Sequence, residues 1–325
     1  MSTPTGPGAS NQPPKQVVAL GGGHGLAASL AALRTVVHDL SAVVTVADNG
    51  GSSGRLRHEM GVLPPGDLRQ ALAALCRDDE WGSTWARVLQ HRFSSSGELR
   101  DHAVGNVLIV ALWELLGEHV AGLDWVARLL GAEGRVLPMT SVPLDITARV
   151  AGLHPDAPTR LQTVRGQVEV ASTSGRVVEV ALDPADPPAC PEAVAAVKSA
   201  SHVVLGPGSW FTSVIPHLLV PGLSEALCDT DAVRVVTLNL APQPGETAGF
   251  SPETHLEVLA AHAPALRVDV VLADRGAVPD VTRLQRTAAA LGAELVVADV
   301  AVDDGSPRHD PRRLADAYAG IMSRG

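Results

Sequence analysis

The chain has 325 residues, 46% of them hydrophobic and 18% charged, with a formal net charge of −10. That length and apolar share are ample for a buried core and suit one large α/β unit. The acidic balance and the lack of any basic run argue against a nucleic-acid partner, and no stretch approaches the roughly 18 uninterrupted apolar residues of a membrane span. Lys15 and Lys198 are the only lysines. A phosphate would therefore be held by backbone N–H groups and arginine, because a Walker-type lysine is absent. Cys76, Cys190 and Cys228 stand far apart without CxxC spacing. They point to a reducing compartment and away from zinc or a disulfide framework.

Residues 1–15 are rich in Pro, Gly, Ser and Thr and lack an apolar h-region, so they read as a disordered tail and not a signal peptide. A cytoplasmic protein is expected. "VVALGGGHGLAASLAALRTVV" then reads as strand, glycine turn and helix, with Leu26, Leu30, Leu33 and Val37 at helical spacing. Gly23, Gly25 and Ala28 fit the looser GxGxxA form of a dinucleotide fingerprint. Asp48 closes the next apolar run, "SAVVTVAD", where a ribose-binding acid is expected. On these residues alone, a dinucleotide site, another nucleotide site and a plain tight turn all remain open.

The following stretch, "DNGGSSGRLR", narrows the choice. Gly50, Gly51 and Gly54 let a backbone approach an anion, Ser52 and Ser53 add hydroxyls, and Arg55 and Arg57 supply forked cations suited to a diphosphate. A surface hairpin is the plainer alternative. "DLRQALAALC" reads as a helix with Asp67 placed to cap its N-terminus. "GNVLIVALWELLG" reads as a buried helix, preceded by His102 in "DHAVGN". Between about 136 and 185 the pattern turns to alternation, which predicts a β-rich insertion of four short strands. Its loops lack Gly/Ser anion chemistry, so it is expected to pack beside the main sheet and add little to a nucleotide site.

Strand and helix then alternate again. "SHVVLGPGS", "AVRVVTLNL", "VDVVLAD" and "AELVVADV" are strands, and "EAVAAVKSA", "SVIPHLLVPGLSEAL", "TRLQRTAAAL" and "DPRRLADAYAGIM" are helices. The order predicts an α/β fold with a mostly parallel sheet covered on both faces, in a Rossmann-like three-layer arrangement. Ligands of such sheets bind outside the carboxyl ends of the strands. In "LGPGSWFTSVIP", Gly206 and Gly208 flank Pro207, while Ser209, Thr212 and Ser213 lie near a helix start. The neighbouring Trp210 and Phe211 suit either cover for a base or sugar ring, or core packing. Asn239 ends another strand before a proline-glycine loop. His24 suits phosphate donation or helix capping equally. Asp48 and Asp67 are the acids available to Mg²⁺, and no GxSxG elbow or cysteine–histidine dyad is present.

Together, "GGGHGL", "VTVADNGGSSGRLR", "LPPGDLRQALAAL", "GNVLIVAL", "LGPGSWFTSVIPHLLVPG" and "PGETAGF" resemble the YvcK family, the gluconeogenesis factors, which are related to the 2-phospho-L-lactate transferase CofD. The resemblance runs from about residue 16 to 325. It implies a Rossmann-like CofD fold, a cytoplasmic protein and a UDP-sugar ligand, notably UDP-N-acetylglucosamine. It also implies support of cell shape and wall synthesis on gluconeogenic carbon sources. CofD relatives instead transfer a phospholactyl group from a guanylyl donor to a deazaflavin, assisted by Mg²⁺.

The nucleotide-contacting residues implied are Gly22, Gly23, His24, Gly25, Asp48, Gly51, Ser52, Arg55, Gly206, Gly208, Ser209 and Asn239, with Asp48 the catalytic candidate if the protein is an enzyme. The family commonly carries two adjacent acids where this chain has Asp48-Asn49, which weakens the case for metal-assisted transfer. The leading expectation is therefore a UDP-sugar-binding regulator that needs no further cofactor. A CofD-like Mg²⁺-dependent transferase ranks second and an NAD-dependent oxidoreductase third. The sequence allows a homo-oligomer and identifies no protein partner.

Overall fold

The computed structural model describes residues 15–324, so the tail expected at the N-terminus lies, apart from Lys15, outside the described residues. The described residues form ten strands: β1 (Gln16–Gly21), β2 (Asp39–Val44), β3 (Arg135–Pro138), β4 (Asp145–Ala151), β5 (Gln162–Arg165), β6 (Arg176–Asp183), β7 (His202–Leu205), β8 (Val233–Thr237), β9 (Val270–Asp274) and β10 (Glu294–Ala298). Seven form one sheet in the order β10-β9-β8-β7-β1-β2-β3, with every pairing parallel. Val17, Val18, Ala19 and Leu20 of β1 and Val203, Val204 and Leu205 of β7 are all buried. Unbroken apolar runs of this kind belong to strands covered on both faces. The covering helices include Gly23–Leu33, which packs on Gly66–Ala74 and on the closing helix Pro311–Met322, and Pro191–Ser199, which packs on Pro221–Asp229.

The chain leaves β1 for β2 and β3 on one side, then returns to β7 on the other side of β1 and continues outward to β10. The order reverses between β1 and β7, and the crevice at their carboxyl ends is where an open α/β sheet places its ligand. Tyr318, the sole tyrosine, ties the closing helix to the back of this crevice. Its hydroxyl lies 2.9 Å from Ser29 Oγ and 3.0 Å from Thr237 Oγ1, and Ser29 in turn donates to the Gly206 carbonyl at 3.1 Å. The ring is fully buried, and its hydroxyl bridges the first helix and the end of β8.

The insertion differs from its expected limits. Arg135–Pro138 belongs to the main sheet, paired in parallel with β2 from Ser41↔Arg135 to Val44↔Pro138. Val136 and Leu137 are both buried, so this strand is covered on both faces and only resembles an alternating one. The antiparallel unit therefore begins at Asp145 and holds three strands in the order β5-β4-β6, with a short helix, Gln167–Ala171, after β5. Cys76, Cys190 and Cys228 are all free thiols. Among the described residues, no single helix is long and apolar enough to cross a membrane.

Candidate functional site

At the switch point, two glycine loops meet. β1 ends at Gly21, and Gly22 is the extended residue before the helix Gly23–Leu33, whose first residue takes a left-handed φ of 57°. The second loop follows β7 through Gly206, Pro207 and Gly208. A Cβ on Gly25 would sit 2.3 Å from the Pro207 carbonyl oxygen and 2.6 Å from Gly208 Cα, so glycine there lets helix and loop touch. Asn239, just after β8, pins that loop twice: Oδ1 accepts from Gly208 N at 2.9 Å and Nδ2 donates to Gly208 O at 2.8 Å. Thr45 Oγ1 donates to the Ser213 carbonyl at 2.9 Å, holding the turn Trp210–Val214 against the residues that follow β2.

These contacts enclose a cavity of about 360 Å³ lined by the Gly22–Gly25 turn, Gly208 and Ser209, Thr212 and Ser213, and two acids, Asp48 and Asp67. Three glutamines, Gln70, Gln167 and Gln243, complete its polar wall. Among the described residues, no arginine or lysine lines it. Positive potential comes instead from the His24 and Gly25 N–H groups at the start of the Gly23 helix, the Gly23 N–H being directed at Asp67.

The acids face one another across glycines. A Cβ on Gly22 would lie 2.7 Å from Asp67 Oδ2, and one on Gly66 would lie 3.0 Å from Asp48 Oδ2. Desolvation by burial, and then the Asp48 charge, push the Asp67 carboxyl up to about 7, while the Gly23 N–H beside it pulls the other way. Asp48 is oriented by an Asx turn in which its Oδ1 accepts from Gly50 N at 2.8 Å. Asp67 does not cap its own helix: it is the second residue of Gly66–Ala74, and the capping position is held by Pro65 without a side-chain bond. Its carboxylate serves the neighbouring helix instead.

Several expected residues lie elsewhere. Gly51 opens the helix Gly51–Met60 with φ of 49° and does not line the cavity. "DNGGSSGRLR" is thus a helix start after a short turn, not a free anion loop. Ser52 is buried, with Oγ 3.1 Å from His102 Nδ1 and accepting from Asn106 Nδ2 at 3.0 Å. It joins two helices, and His102 is structural with it. Arg55 turns outward and donates to the carbonyls of Glu98 and Arg100 at 3.2 and 2.5 Å. Arg57 pairs with Asp145 at 2.6 Å, clasping the small sheet. Gly206 is buried in the packed floor of its loop, with φ of 76°. Asn239 acts through the Gly208 loop. Trp210 and Phe211 are fully buried: Trp210 Nε1 donates to the His255 carbonyl at 3.0 Å, and Phe211 stacks edge-on with Phe250. They are core residues and cover no ring.

Two features escape a reading of composition. The insertion does reach the site, since Gln167, Val168 and Ala171 of its short helix line the cavity. Asn49 holds that helix in place, with Oδ1 accepting from Val168 N at 3.1 Å and Nδ2 donating to Glu169 Oε2 at 2.7 Å. An aspartate could not donate to Glu169, so the Asp48-Asn49 departure has a local cause. The second acid of the cavity is Asp67. Glu246, the acid of "PGET", is also buried, beside the Thr212 and Ser209 hydroxyls and the Phe211 backbone, and burial pushes it up to about 7. A lone acid in a proline-glycine loop carries no sequence signal of burial.

A doubly wound sheet with a glycine-lined cavity at its switch point defines a Rossmann-like α/β protein. Residues 17–308 match the family model described as 2-phospho-L-lactate transferase CofD. A protein of Mycobacterium tuberculosis strain H37Rv named "Putative gluconeogenesis factor" is 54% identical over 311 residues, which cover 95% of this chain and 90% of that protein. The "Gluconeogenesis factor" of Listeria innocua is 34% identical over 324 residues, covering 96% and 97%. The crystal structure of a UPF0052 family member from Bacillus halodurans superimposes with a TM-score of 0.83 at 30% identity, covering 94% of this chain and 99% of that one. The chain belongs to the CofD family and, within it, to the gluconeogenesis factors.

Proposed function

We propose that the protein is a cytoplasmic UDP-sugar-binding regulator that takes UDP-N-acetylglucosamine, supports cell shape and wall synthesis on gluconeogenic carbon sources, and performs no turnover. The observation that carries this reading is the glycine-lined cradle at the switch point, where the His24 and Gly25 N–H groups open the first helix toward the cavity while Gly208, held by Asn239, lines the opposite wall. Gln70, Gln167 and Gln243 supply amides that both donate and accept, as sugar and base hydrogen bonds require. A second cavity of about 500 Å³, with Pro207, Pro242, Pro244 and Pro307 in its walls, shares His24, Gly25, Gly208 and Gln243 with the first. A ligand with a flat apolar ring at one end of a diphosphate suits that pair.

One observation favours a second reading, a CofD-like phosphoryl-group transferase. Asp48 and Asp67 face one cavity, and two carboxylates completed by substrate phosphates and water are a common Mg²⁺ donor set. Among the described residues, no group of three or more His, Cys, Asp or Glu side chains forms a complete protein cage. The acids therefore fit a Mg²⁺ shared with a ligand, which would neutralise phosphate charge. Calorimetric titration with UDP-N-acetylglucosamine, GDP with Mg²⁺, and NAD separates the readings. Binding of the UDP-sugar without phospholactyl transfer is expected. Metal-dependent transfer that Asp48→Asn abolishes while nucleotide affinity persists would establish the transferase instead.

A further inference from the structure

On the far side of His24 and Gln70 lies a cavity of about 650 Å³, lined also by Arg69, Arg87, Gln90 and Arg92. Arg69 stands one turn into the helix Gly66–Ala74, and only 3% of it is exposed. Its stem runs over Gly105, where a Cβ would lie 2.8 Å from Arg69 Cγ, so the backbone of the adjoining helix is shaped to admit it. Yet Nε and Nη1 have no hydrogen-bond partner among the described residues. Burial, and then the Arg92 charge, lower the guanidinium to about 10, which leaves it charged at neutral pH. The Asp67 and Asp48 carboxylates offset part of the cost of burying it, but neither hydrogen-bonds the guanidinium among the described residues.

The contrast with the other arginine cluster is direct. Arg57 and Arg165 are both paired to Asp145, and Arg165 also to Asp183. Around Arg69 the fold adds further positive charge: Arg87 and Arg92 are exposed on the same cavity, and Arg92 spends only one N–H, on the Asp101 carbonyl at 2.8 Å.

We infer that this cavity is a second site, separate from the glycine cradle, which binds an anionic group, phosphate or carboxylate, on the Arg69 guanidinium with Arg92 as its outer cation. Nε and Nη1 are enclosed, so an oxyanion in the cavity meets the guanidinium at Nη2, with Arg87 and Arg92 beside it and, among the described residues, no carboxylate in the wall. The site does not depend on what fills the central cavity. Its occupant is either a free oxyanion or an anionic substituent of a larger ligand reaching past His24.

The test uses the full chain, with sodium phosphate and malonate titrated against chloride at constant ionic strength. Wild type should show a saturable rise in Tm of about 2–4 °C. Arg69→Met, which removes the guanidinium, should lose that response. Arg92→Ala, an exposed change that leaves the core intact, should weaken phosphate binding about tenfold. No response to either anion beyond chloride, or responses in Arg69→Met and Arg92→Ala equal to wild type, would overturn the inference. Should Arg69→Met fail to fold, undiminished phosphate affinity in Arg92→Ala and Arg69→Lys overturns it equally. Competition then assigns the source: phosphate and UDP-N-acetylglucosamine binding together indicates a free oxyanion, and mutual exclusion indicates a substituent of one ligand. Loss of UDP-sugar binding with phosphate binding intact would count against the regulator alone.

Discussion

The Gly22–Gly25 turn and the Gly50–Arg57 stretch share glycine richness and a helix start, and the second is the richer in hydroxyls and arginines. Only the first is a cradle. At Gly22–Gly25 the glycines face the cavity, the side chains of Asp67 and Ser213 that line it, or the Pro207–Gly208 backbone, and a Cβ on Gly23 would meet nothing within 4 Å. At Gly50–Arg57 the same chemistry is consumed internally: Gly54 packs so tightly that a Cβ would lie 2.0 Å from the Asn49 carbonyl oxygen, Ser52 bonds Asn106, and Arg55 bonds two carbonyls. Composition reports what a loop is able to bind. Whether those groups are free depends on the partners that the fold brings to them.

Alanine at two tight glycines breaks the comparison most sharply. Gly25→Ala drives a methyl into the Pro207 carbonyl, and overpacking of this kind costs about 3 kcal/mol. It should also abolish measurable UDP-sugar binding, because helix and loop must part. Gly54→Ala should lower Tm by a similar amount, with affinity nearly unchanged in the fraction that folds. Calorimetry of both variants decides the matter, and equal losses of affinity would erase the distinction between the regions.

Asp67 gives the next effect, and its sign is fixed by the raised carboxyl. With a value of about 7 in the fold against 3.8 for the free group, the folded state holds the proton more tightly. Stability is then highest below about pH 4, falls as pH rises toward 7, and stays low above. Asp67→Asn should stabilise the protein at pH 8 by about 2 kcal/mol and flatten that slope. Glu246, also raised to about 7 by burial, leaves a residual slope. Chemical denaturation at pH 5, 6, 7 and 8 measures both. A less stable Asp67→Asn at pH 8 would show that the carboxylate is compensated in the fold.

Most of the architecture is legible in the sequence because period and burial coincide. The runs "VVAL", "HVVL" and "VVLAD" have no polar face, and each is a parallel strand. The same logic misplaces Arg135–Pro138, since four residues are too few to separate alternation from an apolar run. At the site, Gly22, Gly23, His24, Gly25, Asp48, Gly208 and Ser209 do line one cavity, because strand ends of a doubly wound sheet converge whatever their spacing. Gln167 and Arg69 were not legible as site residues. Gln167 arrives from the inserted sheet through the Asn49 clasp, and Arg69 sits mid-helix among alanines and leucines, where only tertiary packing reveals a missing partner.

The smallest effects test the Gly50–Arg57 region itself. Ser52→Ala leaves the Asn106 amide without its acceptor in a buried junction, a loss of about 1 kcal/mol, and UDP-sugar affinity should stay within about twofold of wild type. Arg55→Ala should do less still. Its guanidinium is exposed and holds only the Glu98 and Arg100 carbonyls, and exposed contacts of this kind contribute about 0.5 kcal/mol or less. A forked arginine on a diphosphate would behave differently, with Arg55→Ala costing about ten- to a hundredfold in affinity and Arg55→Lys recovering only part. The structure instead places the fork outside the cavity wall, so both variants should bind like wild type. Titration of the UDP-sugar into each is decisive. A tenfold loss in Arg55→Ala that Arg55→Lys half restores would mean that this side chain leaves its carbonyls when ligand arrives, and the Gly50–Arg57 stretch would then be a second cradle after all.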